Sequence, residues 1–377
     1  MLDISESIAN LENEDISDNL LYYSYNVKHL LKLYQSGMPK DDPLYLSAYR
    51  SFEGEVYENF IFEKLLRYSL ENEDVEKFVL KGFHQNRTKA HANTLSISEK
   101  RQIVYRTKSR EISEFDALLF TKSELYFVEM TLVKSAIKLK KRLRKKKALL
   151  ETIFPNYEIK ALIILNEGAS GTKQFPSYCK IWFTKEFSAE GVLEHILDPH
   201  EKQLAPKERM KSPKLVEAHS LELYPFRYYN TINWITKSLR ANKNYLVDIN
   251  FLLTPKVQRF HDLYNKFYVG YISIDIARNI LGLTKEYAPD QKVIVALEKK
   301  HNDDIVITYY LQQSRKNLLI YSYDDNGKIN VEKKDPFGIT VTEVYHITKF
   351  MDEKYRYSAA DIKKLDALLK RKCQGRG

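Results

Sequence analysis

Two carboxylates are the side chains of this sequence best placed to do chemistry. Between Ile112 and Thr131, two alternating runs flank the polar tetrapeptide Thr121-Lys122-Ser123-Glu124, the pattern of a β-hairpin. With the turn set there, Phe120 pairs with Leu125, Leu118 with Phe127, Asp116 with Glu129 and Glu114 with Thr131. These positions share one parity and therefore one face of the sheet. Directly opposed residues bring their Cβ atoms to ~4.5–5.5 Å, where like charges are destabilising. On a solvated face the carboxylates would simply splay apart. Leu118, Phe120, Leu125 and Phe127 lie on the same face, however, so it is at least partly buried. A hard divalent cation resolves the repulsion most economically, because Mg²⁺ is held by one or two carboxylates together with waters and substrate phosphate.

A second concentration of charge follows at once. Lys134, Lys138, Lys140, Lys141, Arg142, Arg144, Lys145, Lys146 and Lys147 lie in one stretch with no acid among them. These nine charges nearly account for the chain's formal net charge of +10. Leu132, Ala136, Leu139, Leu143 and Leu150 recur at helical spacing, which predicts an amphipathic helix with one packed and one basic face. Like charges at i, i+4 weaken such a helix, and a polyanion alongside reverses that effect. Lys138, Lys140, Lys141, Arg142, Arg144 and Lys145 are the expected nucleic-acid contacts. Alternatives are a merely solvated face, an acidic partner, or cover by the acidic first twenty residues. His84 and His91 fall in a polar loop and are weaker metal candidates. Gly168 and Gly171 do not make a phosphate loop, since the Gly-x4-Gly-Lys pattern is absent.

The elements that must position these groups are legible in outline. A helix is predicted over Glu53–Leu70, with Phe52, Val56, Phe60, Leu65 and Leu66 on one face. A strand follows over Val75–Phe83, then a loop over 84–99. Gln102–Lys108, Ile112–Phe120 and Leu125–Thr131 read as strands of one meander. Beyond the basic helix come strands Ile159–Leu165 and Cys179–Phe183 and a helix from Lys185 to Leu197. Pro199, Pro206 and Pro213 among charged residues mark 198–214 as a linker. Later segments read as helices Phe226–Leu239 and Lys256–Phe267. Strands follow over Val293–Leu297, Ile305–Leu311, Leu318–Tyr323, Ile329–Val331 and Ile339–Ile347, with a last helix over Ser358–Lys372. Asp325-Asn326-Gly327 is a tight-hairpin signal.

Composition narrows the classes. Of 377 residues 44% are hydrophobic, and 12 Gly and 11 Pro are too few for a collagen-like or linker-type chain. No apolar run approaches the ~20 residues that span a bilayer, so no membrane association is expected. The acidic N-terminus is the reverse of a signal or transit peptide. Cys179 and Cys373 are isolated in sequence, which argues against a disulfide scaffold or a structural zinc and for a reducing, cytoplasmic setting.

The stretch Glu114-Phe115-Asp116-Ala117-Leu118-Leu119-Phe120, a turn, and Leu125-Tyr126-Phe127-Val128-Glu129-Met130-Thr131 resembles the PD-(D/E)XK nuclease superfamily. That family pairs an Asp on an apolar strand with Glu-x-Lys on the next. The helix containing Gly54-Glu55-Val56-Tyr57-Glu58 is similar to the family's first core helix, which often supplies another acid. The order helix, strand, strand, strand, helix, strand from Glu53 to Leu165 is similar to its common core. The resemblance covers roughly residues 50–185.

It implies an α/β fold with a restriction-endonuclease-like mixed central sheet flanked by helices, to which the later helices and strands add a C-terminal α+β domain. The corresponding segments are an acidic helical segment 1–50, a nuclease-like domain 51–197, the linker 198–214 and a recognition or partner domain 215–377. The implied activity is metal-dependent phosphodiester hydrolysis, on DNA in preference to RNA, leaving 5′-phosphate ends; a homodimer is admitted. Asp116, Glu129 and the Met130 carbonyl would hold Mg²⁺ or Mn²⁺, with Glu58 or Glu55 as a further acid. Thr131 stands where the family has its lysine. The resemblance therefore implies either a lysine relocated to the following segment, Lys134 or Lys138, as in cap-snatching viral endonucleases, or a silent nuclease fold that only binds nucleic acid. A protein-interaction module using the basic helix is the alternative from a different class.

Overall fold

The computed structural model describes residues 20–373, apart from 21, 24, 87–90, 109, 186, 198–208, 241–245, 301, 315, 325 and 335–338. It is a mixed α/β protein with a six-stranded mixed sheet and, near the C-terminus, an antiparallel five-stranded sheet. The chain divides into two compact units, Met1–Arg227 and Tyr228–Gly377. Among the described residues no helix is long and apolar enough to cross a membrane.

The first unit opens with α1 (Lys28–Gln35) and the long α2 (Pro43–Glu71). Helix α2 begins where Asp42, in extended backbone, accepts a hydrogen bond from the Leu44 N–H (2.8 Å) and Pro43 presets the first helical φ. Then come β1 (Lys77–Val79), β2 (Thr94–Ile97), β3 (Ile103–Arg106), β4 (Glu111–Phe115), β5 (Ala117–Phe120) and β6 (Glu124–Thr131). The unit continues with α3 (Leu139–Ile153), β7 (Glu158–Asn166), β8 (Cys179–Thr184), α4 (Glu190–Leu197) and β9 (Leu215–Val216). The large sheet runs β8-β7-β6-β5-β1-β9. Strand β5 is antiparallel to both β1 and β6, whereas β6, β7 and β8 are mutually parallel and β9 lies parallel to β1. One face of this sheet, through Ala117, Leu119, Tyr126, Val128, Leu162 and Ile164, packs on Tyr57, Ile61, Phe62 and Leu65 of α2.

Three expectations change here. The predicted strand Ile112–Phe120 is two strands that bend at Asp116. Strand β4 joins β2 and β3 in a separate three-stranded antiparallel sheet, and β5 joins the large one. No glycine or proline marks the bend in Glu114-Phe115-Asp116-Ala117-Leu118, so the run reads as one strand. The polar loop expected over 84–99 contains β2, whose Leu95 and Ile97 are buried among hydroxyl residues. The predicted strand Val75–Phe83 shortens to β1, with a turn of 3₁₀ helix at Gly82–His84.

The domain boundary also moves. Part of the expected linker, 198–208, and the acidic segment 1–19 lie outside the described residues. Past the linker, Leu215 and Val216 pair with Phe78 and Val79, and the Phe78 N–H donates to the Lys214 carbonyl (2.8 Å). The first unit therefore runs on to Arg227. A two-residue strand behind a proline has no periodicity to read.

The second unit comprises α5 (Tyr228–Leu239), α6 (Ile249–Leu252), α7 (Pro255–Tyr264), β10 (Lys266–Ser273), α8 (Ile274–Leu281), β11 (Lys292–Lys299), β12 (Ile305–Gln312), β13 (Leu318–Tyr323), β14 (Ile329–Lys334), α9 (Ile339–Phe350) and α10 (Ala359–Cys373). Its five strands lie in chain order, each antiparallel to the next. Between β13 and β14, Gly327 takes φ +75°, a left-handed conformation that glycine adopts without strain. Asp325 of the predicted turn lies outside the described residues. Two expectations fail in this unit. Helix α7 stops at Tyr264, where Asn265 adopts a left-handed cap (φ 66°), and β10 follows. Ile339–Ile347 is helical, not a strand. Its β-branched residues favour strands, yet Val341, Val344 and Met351 are buried at helical spacing against the sheet.

Candidate active site

The hairpin β5–β6 has the expected register: Phe120 pairs with Leu125, Leu118 with Phe127 and Ala117 with Val128. The Thr121 N–H donates to the Glu124 carbonyl (2.9 Å), so positions 121 and 124, and every second residue outward from each, occupy hydrogen-bonded sites. Met130 belongs to that set, opposite position 115. Because the chain bends away at Asp116, no strand remains there to pair with it. The Met130 N–H donates instead to Asp116 Oδ2 (2.7 Å). In a strand, a residue's N–H and C=O point to the same neighbour, so the Met130 carbonyl is on the Asp116 side. Continuing the register places Asp116 opposite Glu129 in a non-hydrogen-bonded pair, the closer of the two kinds. Both are buried, at 7% and 2% exposure.

From the other side comes Glu58 of α2. Its Oε1 pairs with the Lys81 ammonium and accepts from Gln102 Nε2 (2.9 Å), and Lys81 also donates to Gln102 Oε1 (3.1 Å). Lys81 is 1% exposed, an unusual depth for an ammonium group. Glu55, the other acid expected from this helix, instead accepts from the Asn26 N–H (3.1 Å).

Helix α3 covers the Glu129 face. Lys146 Nζ lies 2.6 Å from Glu129 Oε2, and the Arg142 guanidinium pairs with Oε1. These cations sit at i and i+4, one above the other on the helix. Lys146 also lies over the Phe115 ring, 5.6 Å from its centroid.

The two lysines expected to serve this site are elsewhere. Helix α3 starts at Leu139, not near Leu132, and Lys134 sits in the preceding loop with its carbonyl bonded by the Ser170 N–H (2.9 Å). Lys138 is the exposed residue just before the helix. Neither lines the cavity, and the inward lysine is Lys146. A signal for it existed. The apolar stripe Leu139, Leu143, Leu150 skips a turn, and Lys146 occupies the gap.

The groups share one cavity of about 400 Å³. Glu58, Asp116, Glu129, Arg142 and Lys146 line it, with Glu114, Met130, Thr131 and Lys145 around them. Burial, reinforced by the negative charge of Asp116, holds the Glu129 carboxyl above the ordinary carboxylate range; Lys146 and Arg142 pull it back. Glu58 is likewise raised, chiefly by burial and further by Asp116, against the pull of Lys81. Asp116 therefore acts on both other acids as a like charge.

As donors, three carboxylates and a backbone carbonyl suit a hard divalent ion. Among the described residues no three acids or histidines already stand in an ion-holding arrangement. Glu129 is occupied by two cations, Glu58 by one, and an oxygen of Asp116 by an N–H. By type, though not by their present arrangement, these donors fit the ion.

The remaining candidates divide. Lys138, Lys141 and Arg142 are exposed, whereas Lys140, Arg144 and Lys145 are half-buried. Lys145 donates to the Ile112 carbonyl (2.7 Å), pinning β4 to the helix. Thr131 lines the cavity but brings no charge. His84 is buried, with Nε2 2.6 Å from Glu63 Oε1, which also accepts from the Tyr23 hydroxyl (2.7 Å); His91 is exposed. Lys81, Gln102 and Lys146 were missed as members of the site. Comparison of the chain with protein-family models, with curated proteins and with solved structures found no match.

Proposed function

We propose that the first unit is a divalent-cation-dependent nuclease built on a restriction-endonuclease-like core. The ligands would be Asp116, Glu129 and the Met130 carbonyl, with Glu58 as the further acid. The order α2, β1, β5, β6, α3, β7 supports the core: a helix, three antiparallel strands, a helix, and a strand parallel to the third, with β2–β4 inserted after the first strand. The observation that carries the reading is the cavity where three acids, from α2, the β4–β5 bend and β6, meet a buried lysine.

Bound there, the cation supplies Lewis-acid polarisation of the phosphate and a more acidic water. Lys146 orients that water and offsets the negative charge that grows on the phosphoryl oxygens. Glu58, held by Lys81 and Gln102, keeps a fixed position. In the overall reaction the water oxygen bonds to phosphorus as the ester P–O bond breaks, and the departing oxygen takes up a proton. The exposed ends of Lys138, Lys140, Lys141 and Arg144 supply backbone contacts, and duplex DNA is the first substrate to try.

One observation favours a second reading, a silent nucleic-acid binder of the same fold: both oxygens of Glu129 are already held by cations. A cleavage screen over duplex DNA, single strands and RNA, with Mg²⁺ and with Mn²⁺, separates the two. Cleavage in the full chain that disappears in Glu129→Gln is expected. Salt-sensitive binding with no cleavage in either metal would establish the silent binder instead.

A further inference from the structure

We infer that Arg142 is a displaceable counter-ion, which occupies Glu129 in the metal-free protein, leaves it when the cation enters, and then grips a substrate phosphate. This rests on the nuclease reading of the same cavity. The two cations on Glu129 are not equivalent. The Lys146 side chain is 6% exposed and that of Arg142 is 50% exposed. Moving Lys146 would strand one buried charge beside another, which is costly. Arg142 has its other end in water already, and a half-exposed ion pair is weakly held. Of the two, Arg142 is the one that yields.

Charge balance couples its departure to the metal. Glu58, Asp116 and Glu129 carry −3, and Lys81, Lys146 and Arg142 carry +3, so the metal-free cluster is neutral. A dication added to that set leaves an excess of +2 in a partly buried site. If Arg142 withdraws to the cavity wall, the sum around the ion falls to +1, and a phosphodiester group gripped there by Arg142 forms a neutral pair that adds nothing to it. The released guanidinium stays tethered one helical turn from Lys146, at the cavity wall. Its planar fork matches two phosphate oxygens, a recognition that an ammonium group in its place could not reproduce. Arg142 thus works first as a guard of the empty ligand and then as an anchor for substrate.

The test is Mn²⁺ titration of the full chain without nucleic acid, followed by electron paramagnetic resonance, in the wild type, Arg142→Gln, Arg142→Lys and Glu129→Gln. Arg142→Gln should bind Mn²⁺ about three- to tenfold more tightly than the wild type, since a competing half-exposed ion pair is gone. The same variant should bind duplex DNA in Ca²⁺ more weakly, with a log–log salt slope smaller by ~0.9. Arg142→Lys, which keeps a competing charge and loses the fork, should retain wild-type Mn²⁺ affinity and still lose DNA affinity. Unchanged or weaker Mn²⁺ binding in Arg142→Gln, while Glu129→Gln abolishes it, overturns the counter-ion role and leaves the nuclease reading intact. Wild-type chain that binds no Mn²⁺, or Glu129→Gln that binds it normally, overturns the nuclease reading itself.

Discussion

The two units bury polar side chains on opposite terms. In the second unit His261 is fully buried, donates Nε2–H to the Leu297 carbonyl (3.0 Å) and is pushed down to about 3 by burial, so it sits there as a neutral ring. Arg240 donates to the carbonyls of Val269 (2.8 Å) and Lys354 (2.6 Å) and lies over the rings of Tyr355 and Tyr357. Acids near the sheet are met by tyrosine hydroxyls, Glu343 by Tyr268 and Glu298 by Tyr310. Each of these groups stitches one element to another. In the first unit Glu58, Asp116 and Glu129 are brought together as like charges around a cavity, and three cations are needed to hold them. Like charges gathered in this way work against folding, which is what makes this cavity the candidate for the proposed chemistry. The second unit also has acids around a cavity, Asp304, Asp324 and Asp366, but these are half-buried, whereas Asp116 and Glu129 are buried.

The sharpest break in that comparison is between rate and stability. Asp116→Asn or Glu129→Gln should lower cleavage by about a thousandfold or more, the scale of losing a principal electrostatic group. Arg240→Met should leave the rate of the folded protein unchanged and lower stability in urea by about 3 kcal/mol, because the buried Val269 carbonyl and the partly buried Lys354 carbonyl lose their donor.

A smaller effect, with a diagnostic pH dependence, comes from Lys146→Met. Glu129 is then without its strongest attractive partner, and its carboxyl, already above the usual 4.5, rises further in the folded state. A carboxyl with a raised folded pKa favours folding at low pH and loses that contribution as pH climbs through the folded value. Lys146→Met should therefore be destabilised by about 2 kcal/mol at neutral pH and by much less near pH 4.5. Urea titrations at the two pH values read the difference. The smallest change is expected from Lys140→Glu with Lys141→Glu, within about 0.5 kcal/mol in stability. Binding to duplex DNA should nevertheless show a log–log salt slope smaller by ~0.9 for each phosphate contact removed.

How much of this was legible in the sequence varied with the kind of signal. The hairpin register could be read because two apolar strands of opposite direction flank a four-residue polar turn, and parity then put Asp116 and Glu129 on one face. The bend at Asp116 could not, since no glycine or proline marks the change of direction, and so the second sheet went unseen. Lys146 was hidden among nine basic residues; only the missing apolar position between Leu143 and Leu150 betrayed it. Lys81 and Gln102 reach Glu58 from outside the hairpin and α2, through contacts that no local pattern encodes. Helix α9 was misread because β-branched propensity competed with helical spacing, and packing against the sheet decided in favour of spacing.

The most direct test of the central claim is anomalous diffraction from a crystal of the full chain soaked in Mn²⁺. The account predicts a single strong peak in the cavity of the first unit, within about 2.0–2.3 Å of oxygens of both Asp116 and Glu129, a bonding range typical of small hard cations. A peak elsewhere, or none in that cavity at saturating Mn²⁺, would contradict it.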